Sequence, residues 1–196
     1  MMAIAILSFN LNAQQDSSFG AKAGLNLSKI TLSTFGTSDA SDNLVAFHLG
    51  LFYETKIADK FTFQPELLYS AQGGEENNSG FKLNYIQIPL MFKYYPSSKF
   101  SLEAGPQIGF LVSSSVFQDS ASFDADELFT GIDFGLGIGL NYSFTDKVFI
   151  NARYNFGLTD VSSDDFKSAI ANEVNVQPSS ISMKNSNFQI GLGLRF

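Results

Sequence analysis

One histidine, no cysteine and a sparse set of charged residues bound the chemistry open to this chain. His48 stands alone, which excludes a multi-histidine metal site, and the lack of cysteine removes disulfides, thiolate ligands and thiol nucleophiles. A Ser-His-acid triad would need the fold to bring a serine and an acid to His48; the expectation is that His48 fills space and bonds to its neighbours. More informative are charges embedded in otherwise apolar stretches: Lys22, Lys93, Arg153 and Arg195 against Glu54, Glu66, Glu103 and Asp133. Four of each sign suits a neutralising buried network, because an unpaired buried charge is expensive.

The remaining acids are distributed differently. Twelve of the nineteen (Asp39, Asp42, Glu75, Glu76, Asp119, Asp124, Asp126, Glu127, Asp160, Asp164, Asp165 and Glu173) fall in polar stretches, where Lys29, Lys82, Lys167 and Lys184 oppose them. Asp124, Asp126 and Glu127 are the candidates for holding a hard divalent cation through oxygen, although EF-hand spacing is absent and a charge run is usually a solvated face. A net charge of -7 argues against nucleic acid, whose phosphates require clustered Lys and Arg. No cofactor is expected.

The elements that must position these residues are strands. In residues 187–196, Phe188, Ile190, Leu192, Leu194 and Phe196 alternate with Asn187, Gln189, Gly191, Gly193 and Arg195. Period two puts the sets on opposite faces of one extended segment. Seven further alternating segments are read at 19–27, 45–54, 61–72, 85–94, 100–110, 131–144 and 148–157. In each, most of the bulky apolar residues share one face, while Gly, Asn, Ser, Gln and all eight embedded charges share the other, joined there by Phe52, Leu68, Tyr85 and Met91. Pro65 and Pro89 cannot donate to a ladder, so a bulge or a gap in pairing is expected beside each. Past the start of the chain, nothing approaches the roughly 18 uncharged apolar residues of a spanning helix. Residues 1–13 read as the apolar core and cleavage site of an export signal without its basic beginning, so the true start is expected upstream; the remainder, 14–196, is one domain.

The connections alternate between long and short. Stretches 28–43, 73–80, 113–128 and 159–184 read as long loops, the last with a short helix at 164–174, and the intervening connections as tight turns. That is the pattern of an all-β, eight-stranded antiparallel up-and-down transmembrane β-barrel, with long extracellular loops and short periplasmic turns. Aromatics then sort to the two ends. Phe19, Tyr53, Phe61, Tyr94, Phe100, Tyr142, Phe144 and Phe196 fall at one, and Phe47, Tyr69, Phe110, Phe134, Phe156 and Phe188 at the other, as interfacial girdles would. A soluble lipocalin-type barrel is the competitor, but its solvent face would be rich in Lys, Glu and Thr. In a narrow lumen filled by side chains, two charge networks are expected: Glu66, Lys93 and Glu103, and Asp133, Arg153 and Arg195. The alternative use of such charges is a proton or ion path.

Several stretches carry a family likeness: Gly20-Ala21-Lys22-Ala23-Gly24-Leu25-Asn26-Leu27-Ser28, Gln64-Pro65-Glu66-Leu67-Leu68-Tyr69-Ser70, Tyr85-Ile86-Gln87-Ile88-Pro89-Leu90-Met91-Phe92-Lys93-Tyr94-Tyr95, Gly105-Pro106-Gln107 and Arg153-Tyr154-Asn155-Phe156-Gly157-Leu158-Thr159-Asp160, with the C-terminal strand. In order and spacing the chain resembles the PorT-like family of small outer-membrane β-barrel proteins. The resemblance implies residence in a Gram-negative outer membrane and insertion by an assembly machinery that reads a terminal aromatic strand, here ending in Phe196. Some members of that family take part in protein secretion across the membrane, and most have no assigned activity. With a single histidine, the expectation is a non-enzymatic, structural or interaction role, as an accessory of a protein-secretion or surface complex, with membrane lipid and other outer-membrane proteins as partners. A small-solute channel and a barrel-embedded hydrolase are the alternatives.

Overall fold

Alternation becomes paired strand over most of the chain. The computed structural model describes residues 17–34, 37–119 and 121–196, so the segment read as an export signal lies outside the described residues. The strands are β1 (Ser17–Thr34), β2 (Thr37–Ala40), β3 (Leu44–Ala58), β4 (Phe61–Glu76), β5 (Ser79–Tyr94), β6 (Phe100–Gln118), β7 (Ala121–Asp124), β8 (Ile132–Ser143), β9 (Val148–Gly157) and β10 (Ile181–Arg195), with helix α1 (Asp164–Val174) between the last two. Antiparallel neighbours follow in the order β10-β9-β8-β6-β5-β4-β3-β1, and β1 pairs back onto β10 from Gly20↔Arg195 to Thr34↔Ile181. The sheet therefore closes into an up-and-down, barrel-like fold, with β2 and β7 attached only to β1 and β6. Closure removes the free edges that a strand as greasy as β10 would otherwise present.

Burial is inverted relative to a water-soluble domain. Leu51 and Leu192 are 58% and 57% exposed on the outer wall, whereas Lys93, Arg153 and Glu103 are 0–3% exposed inside. The apolar face lines the outside and the polar face the lumen, as in a membrane barrel. Aromatic pairs ring the outer wall, including Phe19–Tyr53 at 4.8 Å and Phe61–Tyr94 at 5.1 Å near the end with the short turns, here called the base. Phe47–Tyr69 at 5.6 Å and Tyr154–Phe156 at 4.6 Å lie toward the opposite end, the rim. Pairing is interrupted beside the prolines: the β4–β5 register passes from Pro65↔Leu90 to Leu68↔Gln87, and the β5–β6 register from Pro89↔Gln107 to Phe92↔Ala104.

The rim departs from the long-loop expectation. Stretch 73–80 is not a loop: β4 and β5 pair as far as Glu76↔Ser79 across the two-residue turn Asn77-Asn78. Both turn residues have positive φ, 49° and 64°, the backbone of a tight hairpin whose twist matches its strands. Likewise β1 runs on to Thr34 and folds back into β2, and β6 runs on to Gln118 and folds back into β7. Alternation in sequence tracks contact with oil, while hydrogen bonding continues beyond it. Gly73 makes one such extension possible, since its φ is 144° and a Cβ would lie 1.9 Å from Phe81 O.

The expected helix forms over Asp164–Val174: Ser163 Oγ caps it by accepting from Phe166 N at 3.2 Å, acids occupy its first turn, and Asn175 closes it in the left-handed conformation. Phe166 packs with Leu111 and Phe81 against a buried apolar cluster of Ile30, Leu83, Tyr85, Ala125, Phe129, Val161 and Met183. This cluster lies at the rim end of the strands.

Candidate functional site

The eight embedded charges all lie on the inward face of their strands, one period-two step removed from the lipid-type residues that flank them. Four of them meet at mid-lumen. Arg153 on β9 donates from Nη1 to Glu66 Oε2 at 2.9 Å, from Nη2 to Glu66 Oε1 at 2.7 Å and from Nε to Glu103 Oε1 at 2.6 Å. Lys22 Nζ lies 2.6 Å from Glu66 Oε2, held by charge rather than by an aligned hydrogen bond. Glu103 also accepts from Asn141 Nδ2 at 2.9 Å and Asn151 Nδ2 at 3.1 Å, and Glu66 from Gln64 Nε2 at 2.6 Å. Two cations thus neutralise two carboxylates whose remaining lone pairs are filled by amides. Without such pairing, desolvation would exceed the Coulombic gain.

Nearer the base, Lys93 Nζ donates to Glu54 Oε2 at 3.1 Å and to Gln64 Oε1. Arg195 Nη2 lies 3.6 Å from Glu54 Oε2, and Tyr95 Oη donates to Glu54 Oε1 at 2.6 Å. The Arg195 guanidinium stacks 4.4 Å over the Phe149 ring, which meets Phe52 edge-on at 5.6 Å. Gln64, accepting from Lys93 and donating to Glu66, joins the two groups into one chain across seven charges. The partition expected from the sequence is therefore corrected. Lys93 bonds Glu54 and Gln64 instead of joining Glu66, Arg153 belongs with Glu66 and Glu103, and Arg195 with Glu54. Asp133 stands apart, bonded to Thr159 Oγ1 at 2.9 Å. Lys93 and Glu103 are indeed register partners, but long side chains travel along the lumen and do not stop at their own row.

Residues 12–163 match the family described as outer membrane protein beta-barrel domain. The chain belongs to that family. It is accordingly an outer-membrane protein of a Gram-negative bacterium. No curated protein matches it. Among solved structures it is similar to Ail, the attachment invasion locus protein of Yersinia pestis, with 15% identity over 92% of this chain and 99% of that one and a TM-score of 0.54. It is similar also to Neisserial surface protein A, with 15% identity over 92% and 99% and a TM-score of 0.55. Ail in complex with the heparin analogue sucrose octasulfate gives 15%, 92%, 99% and 0.51. These likenesses extend to the fold.

Within this outer-membrane barrel, His48 is buried, and its Nδ1 bonds Asn26 Oδ1 at 2.9 Å. Asn26 in turn donates to Ser70 Oγ, Phe47 O and Ala71 O at 3.0, 3.2 and 2.7 Å, so the histidine is anchored by an amide and not by an acid. Asp124, Asp126 and Glu127 do not converge on one point: Asp126 Oδ1 is taken by Ser114 N and Oγ, and among the described residues no group of three acids or histidines could hold a metal. Phe196, named as the assembly signal, donates its N–H to Phe19 O at 2.8 Å and leaves its ring 71% exposed at the base.

Sequence reasoning missed the latch at the rim. Asp160 Oδ1 accepts from Ser162 Oγ, from Ser162 N at 3.0 Å and from Met183 N at 2.9 Å, while Lys167 Nζ lies 2.9 Å from Oδ2. Partial burial works to raise the Asp160 pKa, but these bonds, led by the Ser162 hydroxyl, outweigh it and hold the carboxyl below its ordinary value. The available signal was Asp160-Val161-Ser162, an acid two residues before a serine it can hold.

Proposed function

We propose that the long strands cross the membrane as an eight-stranded barrel with a closed lumen, and that the protein works by interaction at the membrane and not by conduction or catalysis. The observation that carries this reading is the wall-to-wall bridging of the interior. Arg153 and Glu66 sit on opposite staves, Gln72 and Asn185 meet at 2.6 Å nearer the rim, and the apolar cluster of Tyr85, Phe129, Val161 and Met183 lies above them. An export signal at 1–13 would put the base in the periplasm and the rim outside, with Phe196 presented to the assembly machinery at the base.

The rim then carries twelve acids, where Glu75, Glu76 and Asp119 crown extended hairpins. Such a surface repels a polyanion of the heparin class and favours a basic protein surface or divalent-bridged lipid headgroups. Accessory work for a secretion or surface complex, as in the PorT-like resemblance, fits this surface. Purified protein in planar bilayers tests the reading: a silent bilayer is expected, and stepwise single-channel conductance would overturn it. Cross-linking in native membranes should capture a partner through the rim of the wild-type protein and lose it in E75K/E76K/D119K.

A further inference from the structure

Arg195 and Arg153 belong to the same chain of charges, yet they are held differently. Arg153 has three contacts of 2.6, 2.7 and 2.9 Å, and its side chain is fully buried with that of Glu66. Arg195 makes only long ones: 3.3 Å from Nη1 to Ser143 Oγ, 3.4 Å from Nη1 to Asp146 O, and 3.6 Å from Nη2 to Glu54 Oε2. Its side chain keeps 13% of its exposure. A guanidinium carries five donors in a rigid fork, so most of the hydrogen-bonding capacity of this one is unused.

Arg195 lines a cavity of about 430 Å³ that opens at the base, between the β5–β6 turn (95–99) and the β8–β9 turn (144–147). Ser143 N donates to Lys99 O at 2.7 Å and ties the two turns together, while Arg195 N donates to Lys147 O at 2.8 Å. The lining is rich in donors. Ser143 Oγ accepts from Arg195, and Thr145 Oγ1 accepts from Lys147 N at 3.2 Å and Val148 N at 3.0 Å, so each hydroxyl keeps its own proton to give. Thr62 Oγ1 is buried in the cavity wall without a partner. Lys99 is exposed at the mouth and makes no ion pair among the described residues.

The acceptors, by contrast, are taken. Glu54 Oε1 is bonded by Tyr95 Oη at 2.6 Å and Oε2 by Lys93 Nζ at 3.1 Å, and Lys93 offsets the Glu54 charge. Asp146, exposed on its turn, is the one lining carboxylate left open.

We propose that this cavity at the base binds a phosphate or phosphate-ester oxyanion. Arg195 and Lys99 supply the charge, and Thr62, Ser143 and Thr145 supply hydroxyl donors. The guanidinium fork matches phosphate oxygens, and a tetrahedral group has acceptors enough for a donor set of this size, as a carboxylate has not. The anion sits at a mouth open to water, so it does not upset the balanced charges deeper in the lumen. A small phosphorylated solute and a phospholipid headgroup both offer this chemistry. The site is separate from the closed-lumen reading, because a conducting barrel would have the same mouth and a silent one need not bind phosphate.

The test titrates inorganic phosphate and glycerol 3-phosphate onto the whole protein in detergent, at fixed pH and ionic strength, with acetate as the carboxylate control. A saturable rise in Tm with both phosphates and none with acetate is expected, because a ligand bound only by the folded state stabilises it. Lys99→Gln, at an exposed turn position, should weaken apparent binding about tenfold, the loss typical of one charge-assisted bond. Thr62→Val should weaken it too, whereas Asp146→Asn should tighten it by removing the competing carboxylate. A general salt effect of phosphate on burial would persist unchanged in all three variants. Native mass spectrometry of protein released from micelles containing phosphatidylglycerol then names the source. One retained lipid, displaced by glycerol 3-phosphate, assigns the site to a headgroup; no retained lipid assigns it to a free solute. Equal Tm in phosphate and acetate, or a rise of the same size in K99Q, T62V and D146N, would overturn the proposal and leave a hydrated mouth.

Discussion

Arg153 on β9 grips Glu66 on β4 through both terminal nitrogens, at 2.9 and 2.7 Å, across the full width of the lumen. The two strands are four staves apart in the ring, so this fork ties opposite walls. Its third donor, Nε, holds Glu103 on β6. Arg153→Ala would leave two buried carboxylates with only Lys22 and amides to face them. Removing one partner of a buried ion pair costs about 3–5 kcal/mol. Arg153→Lys should recover only part of this, since an ammonium cannot reproduce the planar fork. Urea unfolding in lipid, or the temperature at which the folded band is lost on a gel, measures the ranking wild type, then Lys, then Ala. Wild-type stability in R153A would show that the bridge stabilises nothing.

Phe149 and Gly193 pair across β9 and β10, and a Cβ on residue 193 would sit 2.1 Å from the ring edge. Phe52 and Gly20 repeat the arrangement on β3 and β1, with the same 2.1 Å separation. Each ring uses the room a glycine leaves in the neighbouring stave, which lets two phenylalanines share a narrow lumen. Gly193→Ala should destabilise by about 1–3 kcal/mol through overpacking. Combined with Phe149→Leu the loss should be smaller than the sum of the single losses, since the substitutions share one space. A double-mutant cycle of unfolding free energies reads this, and strict additivity would refute it.

How much of this was legible depends on what the outward face touches. Where Leu192 or Phe134 meets lipid, alternation declares both the strand and its facing, and Lys22, Glu66 and Arg153 are placed inward from sequence alone. Above the girdles the outward residues of β1, β4 and β6 are polar, such as Ser33, Glu75 and Ser113, so the pattern fades although the ladder continues. The charge partition was illegible for another reason. Register assigns each Cα to a row, but Lys93 reaches beyond its own row and Gln64, an uncharged residue, carries the link between groups. The rim cluster escaped because Leu83, Phe129 and Val161 come from segments whose sequence is mostly polar, and only tertiary folding brings them together.

Asp160 ties Met183 at the start of β10 to Lys167 on α1. Because its pKa is held below the ordinary carboxylate value, the folded state favours the ionised form. The stabilisation is therefore present above the unfolded pKa of about 4 and is lost as pH falls through the lower folded value. Protease cleavage within 164–174 should accelerate on acidification in the wild type. In D160N cleavage should already be fast near neutrality and change little with pH. A pH profile shared by both proteins would remove Asp160 from the latch.

The turn Asn77-Asn78 sets the height of the rim. Both residues hold positive φ, and Asp119, at the tip of the neighbouring hairpin, holds 51°. Asparagine tolerates this region, whereas a β-branched side chain is forced against its own carbonyl. Asn78→Val should cost the hairpin about 1–2 kcal/mol, while Asn78→Gly should be neutral or stabilising. Since Asp42 N donates to Glu75 O at 2.9 Å and Asp119 N to Asn78 O at 2.8 Å, a frayed turn would release the acidic crown on both sides. Amide exchange at Glu75, Ser79 and Asp119 should quicken together in N78V, with the exchange of Arg153 and Gln189 deep in the barrel unchanged. If exchange rose throughout the barrel instead, the rim would be one cooperative unit with the membrane wall, and the hairpins could not present the acids independently of it.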